Sequence, residues 1–205
     1  AAAMNDILNT GHFPEIWKTT IVIPMFKKEN KLLAANYRPI SLTCTPCKCM
    51  EKIVAKELTS FFLENHIIPA EQHGFLPRKS TITNLLTRLQ QWTLADYINQ
   101  PTDVVYLDFE KAFDKIPIDY LIYKLNHYGV RGKLLDFVRG FLQKRTFQVR
   151  VGQALSGKRE VFSGVPQGSV LGPLLFIVYL SDLYSGLKTK YASFADDTNI
   201  FCNPL

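Results

Sequence analysis

The feature that most limits how this chain can fold is a pair of adjacent aspartates between two apolar, β-prone segments. Asp196 and Asp197 stand between residues 191–194 and residues 198–201. This pattern predicts a hydrophobic β-hairpin with the acids at its turn. Asp108 holds a similar place, at the end of the short run Val-Val-Tyr-Leu. The sequence therefore predicts that two chain segments bring three carboxylates together.

Carboxylates gathered in this way need a cation. Two of them about 4 Å apart repel by roughly 4 kcal/mol at an effective dielectric of about 20. Oxygen ligands favour Mg²⁺ or Mn²⁺, and two such ions about 4 Å apart would stabilise the attacking and leaving oxygens of a phosphoryl or nucleotidyl transfer. Each acid also has an ordinary explanation. Asp108 could cap the turn that follows it, and aspartates are common at hairpin turns.

The composition is that of a globular domain. The chain has 205 residues, of which 47% are hydrophobic, enough for a substantial core. Its longest apolar run is far below the roughly 20 residues of a membrane span, so we expect no membrane association and no secretion signal. The four cysteines do not form the framework of a small secreted protein, which favours a reducing compartment.

Positive charge is concentrated in one stretch. Between Arg131 and Arg159 eight bases, including Lys144 and Arg145, stand against the single acid Asp136, a charge of +8 − 1 = +7, compared with +6 for the whole chain. Interleaved phenylalanines favour a folded basic surface over a disordered tail. A nucleic-acid interface and an ordinary solvated face explain this charge equally well.

Hydrophobic spacing predicts an α+β architecture without strict βαβ alternation. The predicted helices lie near residues 6–10, 45–62, 80–100, 120–128, 133–143 and 170–184. The predicted strands are residues 19–23, which Pro24 should end, and residues 37–42, 104–109, 146–151, 159–162 and the two flanks of the aspartate pair.

Two loops and one cysteine cluster are further candidates for a site. The loop at residues 163–169 precedes a helix, and its glycines would let a phosphate approach, although a plain connecting loop fits equally well. Lys27, Lys28 and Arg38 flank another loop and could bind a triphosphate, but exposed lysines are most often only solvated. The cysteines at positions 44, 47 and 49 lack further ligands at zinc-finger spacing, so buried thiols explain them better than zinc.

Three motifs, taken in order, resemble the signature of reverse transcriptases, most closely those of jockey-like non-LTR retrotransposons. They are YLDFEKAFD (residues 106–114), GVPQGSVLGP (164–173) and FADD (194–197). Upstream, NYRPISL (36–42) and QHGF (72–75), followed by Arg78, resemble finger motifs of the same family. The similarity runs from about Gly11 to the last residues. One departure is Phe194, where many relatives carry tyrosine.

The resemblance implies a right-hand polymerase with fingers and palm, the antiparallel palm sheet being backed by helices. Asp108, Asp196 and Asp197 match the family's catalytic metal ligands, and the backbone carbonyl of Phe109 would complete a site for two Mg²⁺ ions, with Mn²⁺ as a substitute. Phe113 matches the bulky ring that excludes a ribose 2′-hydroxyl. The resemblance also implies nucleotide contacts from Lys27, Lys28, Arg38 and Gln167, and template or primer contacts from Arg78, Gly164, Pro166, Gly168, Lys144 and Arg145.

The same resemblance divides the chain into four segments. Residues 1–100 would be fingers, 101–118 the first catalytic strand of the palm, 119–162 basic helices and a hairpin, and 163–205 the palm with the aspartate hairpin. The family's further palm motif, with its lysine, and its thumb would follow Leu205. We therefore expect a truncated copy or a part of a longer polyprotein.

The implied function is that of an RNA-directed DNA polymerase that adds dNTPs to a DNA primer on an RNA template, acting in the nucleus. A first alternative is a nucleic-acid-binding remnant that is catalytically incomplete. A second is an RNA-templated RNA polymerase or an intron-type maturase, which nucleotide preference would reveal. A third, weaker alternative is an interaction protein organised around Cys44, Cys47 and Cys49.

Overall fold

The structure is a computed structural model that describes residues 2–202. Residue 1 and residues 203–205, the outer ends of the first and last predicted segments, lie outside the described residues. Helices and strands are mixed along the chain, without regular alternation. The mixed α and β architecture predicted from the sequence is therefore confirmed.

The bounds of the helices and strands are as follows. The helices are α1 (Ala2–Thr10), α2 (Glu15–Lys18), α3 (Thr45–Glu64), α4 (Thr81–Tyr97), α5 (Ile118–His127), α6 (Gly132–Leu142) and α7 (Leu171–Tyr179). The strands are β1 (Thr19–Phe26), β2 (Tyr37–Leu42), β3 (Asp103–Leu107), β4 (Arg145–Val151), β5 (Ala154–Leu155), β6 (Arg159–Val161), β7 (Lys190–Phe194) and β8 (Asp197–Cys202).

The chain divides into two compact units. The first consists of Ala1–Lys56 and Phe113–Gly172, and the second of Glu57–Ala112 and Pro173–Leu205. The strands β1, β2, β4, β5 and β6 belong to the first unit, and β3, β7 and β8 belong to the second. Each unit therefore contains its own sheet.

The sheet of the first unit has the order β2-β1-β4-β5, with β6 also paired to β4. The β4–β6 hairpin is antiparallel, as predicted, with Arg145 opposite Val161. Strand β1 pairs antiparallel with β2 and parallel with β4, where Thr19 lies opposite Thr146. Sequence periodicity did not indicate this parallel pair, because its two strands are more than 100 residues apart.

Strand β1 continues through Pro24, which the sequence predicted would end it. Pro24 lies opposite Pro39 of β2, whereas the pairing with β4 stops at Val22. Beyond Val22 the side of β1 that faced β4 is a sheet edge, where the missing N–H of proline leaves no ladder bond unmade. The prediction that Pro24 ends the strand is wrong for this reason.

An aromatic cluster forms the core of the first unit. The ring of Phe13 lies 5.0 Å from that of Phe137 and 6.3 Å from that of Phe141, measured between centroids, and all three side chains are fully buried. Burial of each such side chain contributes about 1.5–3 kcal/mol. A β-carbon on Gly140 would lie 2.0 Å from the Gly11 carbonyl oxygen, so α6 can approach the end of α1 only with glycine at this position.

The sheet of the second unit is antiparallel, in the order β3-β8-β7. Helix α4 packs against β7 and begins with a capping box, in which the Ser80 side chain accepts from the Thr83 N–H and the Thr83 hydroxyl accepts from the Ser80 N–H. Two predictions differ in this unit. Helix α4 ends at Tyr97, well before Pro101, and α7 ends at Tyr179, short of Tyr184.

Candidate active site

The register of the antiparallel sheet brings two of the predicted aspartates together. Leu107, the last residue of β3, lies opposite Thr198 of β8. The next positions along these strands are Asp108 and Asp197, so the two acids lie opposite each other. Both side chains are exposed to solvent. Residues 89 positions apart in the sequence therefore share one end of the sheet.

The hairpin turn that carries the aspartate pair is tight and strained. Phe194 pairs with Asp197, which leaves Ala195 and Asp196 as the two turn residues. Ala195 has a φ of +57°, in the left-handed region, where a residue with a β-carbon is disfavoured by about 1–2 kcal/mol. It is buried, whereas Asp196 is half-buried and Asp197 is exposed. The surrounding structure must hold this turn in place.

The segment around Gln72 contacts the turn directly. Residue Gln72 forms a parallel bridge with Ser193 of β7, and the His73 N–H donates to the Ser193 carbonyl at 2.8 Å. The Gln72 side chain makes hydrogen bonds to both the N–H and the carbonyl of Ala195. Sequence reasoning identified QHGF only as a family motif and missed this contact, because it joins residues 123 positions apart.

An open pocket of about 310 Å³ lies on the face of the sheet that carries the two opposed aspartates. Three of its lining residues, Thr81, Asn84 and Arg88, come from α4 and were not predicted. The Arg88 guanidinium donates to the Asn84 side-chain carbonyl, and Asn84 in turn donates to the Ser193 carbonyl. The pocket is lined by Thr81, Asn84, Arg88, Tyr106, Leu107, Asp108, Phe194, Asp197 and Asn199.

The donor set suits magnesium bound together with a substrate better than a closed protein cage. Among residues 2–202, no three histidine, cysteine, aspartate or glutamate side chains converge as a ready metal cluster. Mg²⁺, however, is usually held by one or two carboxylates together with water and substrate phosphates. Asp108 and Asp197, two exposed carboxylates on one pocket, fit that type of site. The third predicted ligand, Asp196, occupies the turn itself.

In the first unit, the predicted nucleotide-contact residues Phe113 and Gln167 are held close together. The Val165 N–H donates to the Phe113 carbonyl at 2.9 Å, and the Gln167 side chain donates to the Asp114 carboxylate at 2.9 Å. The Gln167 carbonyl accepts from Ser41 of β2 at 2.8 Å. Both side chains are half-buried. The loop is thus tied to the Phe113 turn and to β2.

Glycines make this close approach possible. A β-carbon on Gly164, whose φ is +87°, would lie 2.6 Å from the Phe113 carbonyl oxygen. A β-carbon on Gly168, whose φ is +108°, would lie 2.6 Å from the Ser41 carbonyl oxygen. Gly164 is buried, Pro166 is half-buried and Gly168 is exposed. A purely structural role therefore explains both glycines without any ligand.

The three predicted triphosphate contacts lie at one end of the β1–β2 hairpin. Arg38 is opposite Met25 in the register, and the Lys27 N–H donates to the Asn36 carbonyl at 2.9 Å, which closes the loop. Lys27, Lys28 and Arg38 are all exposed. Lys28 forms a 3.3 Å ion pair with Glu29, and both side chains are more than half exposed, so this pair contributes little.

The prediction that Arg145 contacts template or primer is wrong. Its side chain is only 2% exposed, and its guanidinium donates to the Phe141 carbonyl at 3.0 Å and to the Thr20 hydroxyl at 2.8 Å. It therefore belongs to the interior of the first unit. Its neighbour Lys144 is exposed, with a φ of +53°, and Arg78 is exposed in the second unit.

Of the three clustered cysteines, which the sequence predicted to be buried thiols, only Cys47 is buried, and the prediction is wrong for the exposed Cys49. Cys47 is fully buried in α3, and burial together with the adjacent Glu51 raises the pKa of its thiol to about 12. Surroundings that disfavour the thiolate this strongly make Cys47 less suited to zinc than an ordinary exposed cysteine. Cys44 and Cys49 are also free thiols, half-buried and exposed respectively. Residues 2–202 thus offer no cysteine-based metal cluster.

Comparison with known families decides the relationship. A family model described as reverse transcriptase (RNA-dependent DNA polymerase) matches residues 26–204. The chain belongs to the reverse transcriptase family. Both the aspartate hairpin and the strand that ends before Asp108 fall within the matched region of this reverse transcriptase domain.

Curated relatives confirm the predicted kinship with jockey-like elements. The probable RNA-directed DNA polymerase from transposon BS of Drosophila melanogaster is 34% identical over 96% of the chain and 23% of its own length. The polymerase from transposon X-element of the same organism is 34% identical over 94% of the chain and 22% of its own. The RNA-directed DNA polymerase from mobile element jockey of Drosophila melanogaster is 32% identical over 98% of the chain and 23% of its own length. The chain therefore spans about a quarter of the length of these relatives.

A solved structure shows the same fold. Apo telomerase from Candida tropicalis, truncated from its C-terminal domain, superposes with a TM-score of 0.61 over 94% of this chain and 45% of that chain. The sequence identity is 10%, so the similarity concerns the fold alone. None of the helices in residues 2–202 combines the length and the apolar character required to cross a membrane.

Proposed function

We propose that this reverse transcriptase domain is the fingers and palm portion of an RNA-directed DNA polymerase. It would join dNTPs to the 3′ end of a DNA primer while copying an RNA template, using two Mg²⁺ ions for which Mn²⁺ can substitute. The observation that carries the proposal is the β3–β8 register, which supports a shared role for Asp108 and Asp197. Names of relatives at 32–34% identity support the same activity.

Asp108, Asp196 and Asp197, together with the backbone carbonyl of Phe109, would hold the metal ions. The chemistry that bound metal ions would supply here is neutralisation of triphosphate charge and easier ionisation of the primer 3′-hydroxyl. The protein would hold the metal-binding carboxylates in fixed positions. Asp108 follows a paired strand and Asp197 begins one, so neither carboxylate lies on a loose loop. Such preorganisation aligns the reacting oxygens and costs no reorganisation during the reaction.

The first unit would contribute nucleotide contacts. Lys27, Lys28 and Arg38 are exposed cations near one hairpin end and would bind triphosphate oxygens. Phe113, held through its backbone by Val165, would exclude a ribose 2′-hydroxyl by steric contact. Gln167 would lie under the incoming nucleotide. Support for these roles comes from the motif resemblance and from the hydrogen bonds that fix Phe113 and Gln167.

Exposed bases would bind the template and primer backbones. Lys144 and Arg78 would contribute, with weak sequence preference and strong salt dependence, and the loop containing Gly164, Pro166 and Gly168 would contact the template. A thumb and further modules would belong to a longer polyprotein, consistent with relatives about four times as long. Action in the nucleus, on a chromosomal target, completes the proposal.

Primer extension on an RNA template tests the proposal. The chain should extend a DNA primer with dNTPs when Mg²⁺ or Mn²⁺ is present, and the Asp108→Asn variant should not. A version that continues into a thumb should extend the primer further. If neither version incorporates dNTPs although both bind the primer–template, the polymerase proposal is wrong.

Nucleotide preference tests the choice of substrate. The Phe113→Ala variant should incorporate ribonucleotides more readily, because the ring no longer blocks the 2′-hydroxyl. A preference for ribonucleotides in the unmodified chain would instead support an RNA-templated RNA polymerase.

A second candidate function is that of a catalytically incomplete, nucleic-acid-binding remnant. The exposed bases Lys144 and Arg78 favour it, because they would bind a nucleic-acid backbone whether or not nucleotides are joined. This candidate predicts salt-sensitive binding of RNA or DNA without dNTP incorporation, even with Mn²⁺. The same extension assay, read beside a binding assay, separates the two functions.

A further inference from the structure

We propose that Gln72 is the positioning residue for the aspartate pair at the hairpin turn, a role that rests on the proposed polymerase function. Gln72 would hold the turn by its side-chain amide, not contact metal or substrate. The contact joins residues 123 positions apart and lies wholly within the second unit. Neither the motif resemblance nor the names of the relatives assign this role.

Gln72 makes two hydrogen bonds to the turn. The Gln72 Oε1 atom accepts from the Ala195 N–H at 2.9 Å, and Nε2 donates to the Ala195 carbonyl at 3.3 Å. A carboxamide is the side-chain group that can accept and donate side by side in this way. Because both polar groups of one peptide residue are engaged, the orientation of the Ala195 backbone is fixed as well as its distance.

Gln72 holds Ala195, the residue of the turn whose backbone is strained. Ala195 adopts the left-handed φ of +57° and comes directly before Asp196 and Asp197. Rotation of the Ala195 backbone toward an ordinary φ would redirect both of the following residues. A residue that fixes this angle therefore fixes the directions in which the two carboxylates point.

Gln72 is itself held rigidly. Its side chain is 5% exposed, and Oε1 also accepts from the Gly74 N–H at 2.7 Å. Its backbone carbonyl accepts from Lys79 Nζ at 2.8 Å. The neighbouring His73 ring bonds the Thr83 hydroxyl of α4 at 2.8 Å. The amide is thus anchored to the rest of the second unit before it contacts the turn.

Gly74 supplies the space for this arrangement. A β-carbon there would lie 2.3 Å from the Ala195 nitrogen and 3.0 Å from Gln72 Oε1. Any larger residue would push the turn away from Gln72. The pairing of a buried glutamine with a glycine two residues later is therefore explained by the contact with Ala195, and a general loop role would not require it.

Two substitutions test the role. Gln72→Leu keeps an apolar side chain of similar size and removes all three hydrogen bonds. It should speed amide hydrogen exchange at Ala195 and weaken Mn²⁺ binding, measured by electron paramagnetic resonance, by about tenfold or more, as is typical when a residue supporting metal ligands is removed. Gln72→Glu keeps the acceptor for the Ala195 and Gly74 N–H groups but sets an oxygen against the Ala195 carbonyl. It should give an intermediate loss of Mn²⁺ affinity, with the Ala195 amide still protected.

Gln91→Leu is the matched control. Gln91 lies on α4 and accepts a hydrogen bond from Lys190 at the opposite end of β7 from the turn. The substitution is identical and also removes a contact with β7, but it leaves Ala195 untouched. Its Mn²⁺ affinity and Ala195 exchange should equal those of the unmodified chain. Thermal unfolding of every variant identifies any loss that comes from unfolding.

The outcomes separate this inference from the proposed function. If the unmodified chain binds Mn²⁺ and extends primers, but Gln72→Leu folds and does both equally well, the positioning role is wrong and the polymerase proposal stands. If Gln72→Leu unfolds, the intermediate Gln72→Glu variant still decides, because equal Mn²⁺ affinity there would contradict the role. If the unmodified chain neither binds Mn²⁺ nor extends primers, the polymerase proposal itself fails, and faster Ala195 exchange in Gln72→Leu would support only the structural contact.

Discussion

One acid of the first unit and two acids of the second unit have opposite environments. In the first unit, Glu51 is fully buried, and its carboxylate accepts from the Val170 and Leu171 N–H groups at 2.6 and 3.0 Å. These N–H groups lie at the start of α7, where the helix has no internal partners for them and where a negative charge is favourable. In the second unit, Asp108 and Asp197 are exposed and line an open pocket.

The difference teaches which ionisable groups maintain the fold and which are available for ligands. Glu51 is committed to backbone donors, so its charge stabilises a helix start. The two aspartates form no ion pair within residues 2–202, so their charge remains available to a cation. Basic residues show the same division, because Arg145 is buried and hydrogen-bonded whereas the adjacent Lys144 is exposed.

The largest expected effect is on catalysis by the exposed acids. Asp108→Asn should reduce primer extension by at least about 10³-fold, since it removes a charge that, in the proposed function, holds the metal ions. Thermal stability should stay equal or rise, because the carboxylate has no protein partner to lose. Asp103→Asn, at the exposed start of the same strand, is the control and should leave both quantities unchanged. If Asp108→Asn lost activity only to the extent that it lost stability, Asp108 would be a structural acid like Glu51.

The buried acid should show the reverse pattern. Glu51→Gln should lower the free energy of unfolding by about 1–3 kcal/mol, because a neutral amide accepts less strongly and introduces donors into a buried site. Chemical denaturation measures this change. Glu57→Gln, at an exposed position of the same helix, should alter stability by less than about 0.5 kcal/mol. Equal stability of the two variants would show that Glu51 is not a structural acid.

Much of the fold around the acids could be predicted from the sequence because the signals are local. The apolar flanks of Asp196 and Asp197 predicted β7 and β8, and the β-branched run predicted β3. The opposed positions of Asp108 and Asp197 required the strand register, which alternation alone does not supply. The expectation that Asp108 and Asp197 act together was supported by the resemblance of the motifs to the reverse transcriptase family, to which the chain belongs.

Supporting residues escaped prediction because their partners are distant in sequence. Gln72 contacts Ala195 across 123 positions, and Glu51 contacts Val170 across 119. Neither partner has a side chain that would suggest the contact, since each offers only backbone groups. Arg145 was misassigned for a related reason: charge density along a stretch of sequence does not show which bases point inward.

Helix α4 shows another limit of sequence patterns. Its apolar residues Ile82, Leu85, Leu86 and Leu89 share one face, as their spacing predicted, yet each is 44–68% exposed. The helix buries two residues, Ala95 and the polar Asn84, and Asn84 donates to the Ser193 carbonyl of β7. Periodicity therefore identified the helix correctly, but it did not identify the face that packs against the sheet.

An effect of intermediate size is expected for the adjacent bases Arg145, which is buried, and Lys144, which is exposed. Arg145→Met should lower the free energy of unfolding by about 1–2 kcal/mol, because the Thr20 hydroxyl and the Phe141 carbonyl lose their donor. Lys144→Met should leave stability unchanged and should reduce RNA affinity only a few-fold. The slope of log affinity against log salt concentration should become shallower by about 1. Filter binding over a range of salt concentrations, beside denaturation, measures both. A weaker RNA affinity without destabilisation in Arg145→Met would restore a direct role for that arginine.

The smallest expected effect concerns a buried histidine in the second unit. Burial, with Lys79 and Arg88 nearby, lowers the pKa of His73 from its ordinary value of 6.5, and Glu71 only partly opposes this. The unfolded chain therefore binds a proton near pH 6.5 that the folded chain does not bind until a lower pH. Stability present above pH 6.5 should be lost as the pH falls below it, by at most about 1.4 kcal/mol per pH unit. In His73→Gln this part of the acid sensitivity should disappear, whereas His66→Gln, at an exposed position, should retain it. Denaturation midpoints between pH 7.5 and about pH 5 measure the difference, and parallel curves for His73→Gln and the unmodified chain would mean that His73 takes up its proton equally well in both states.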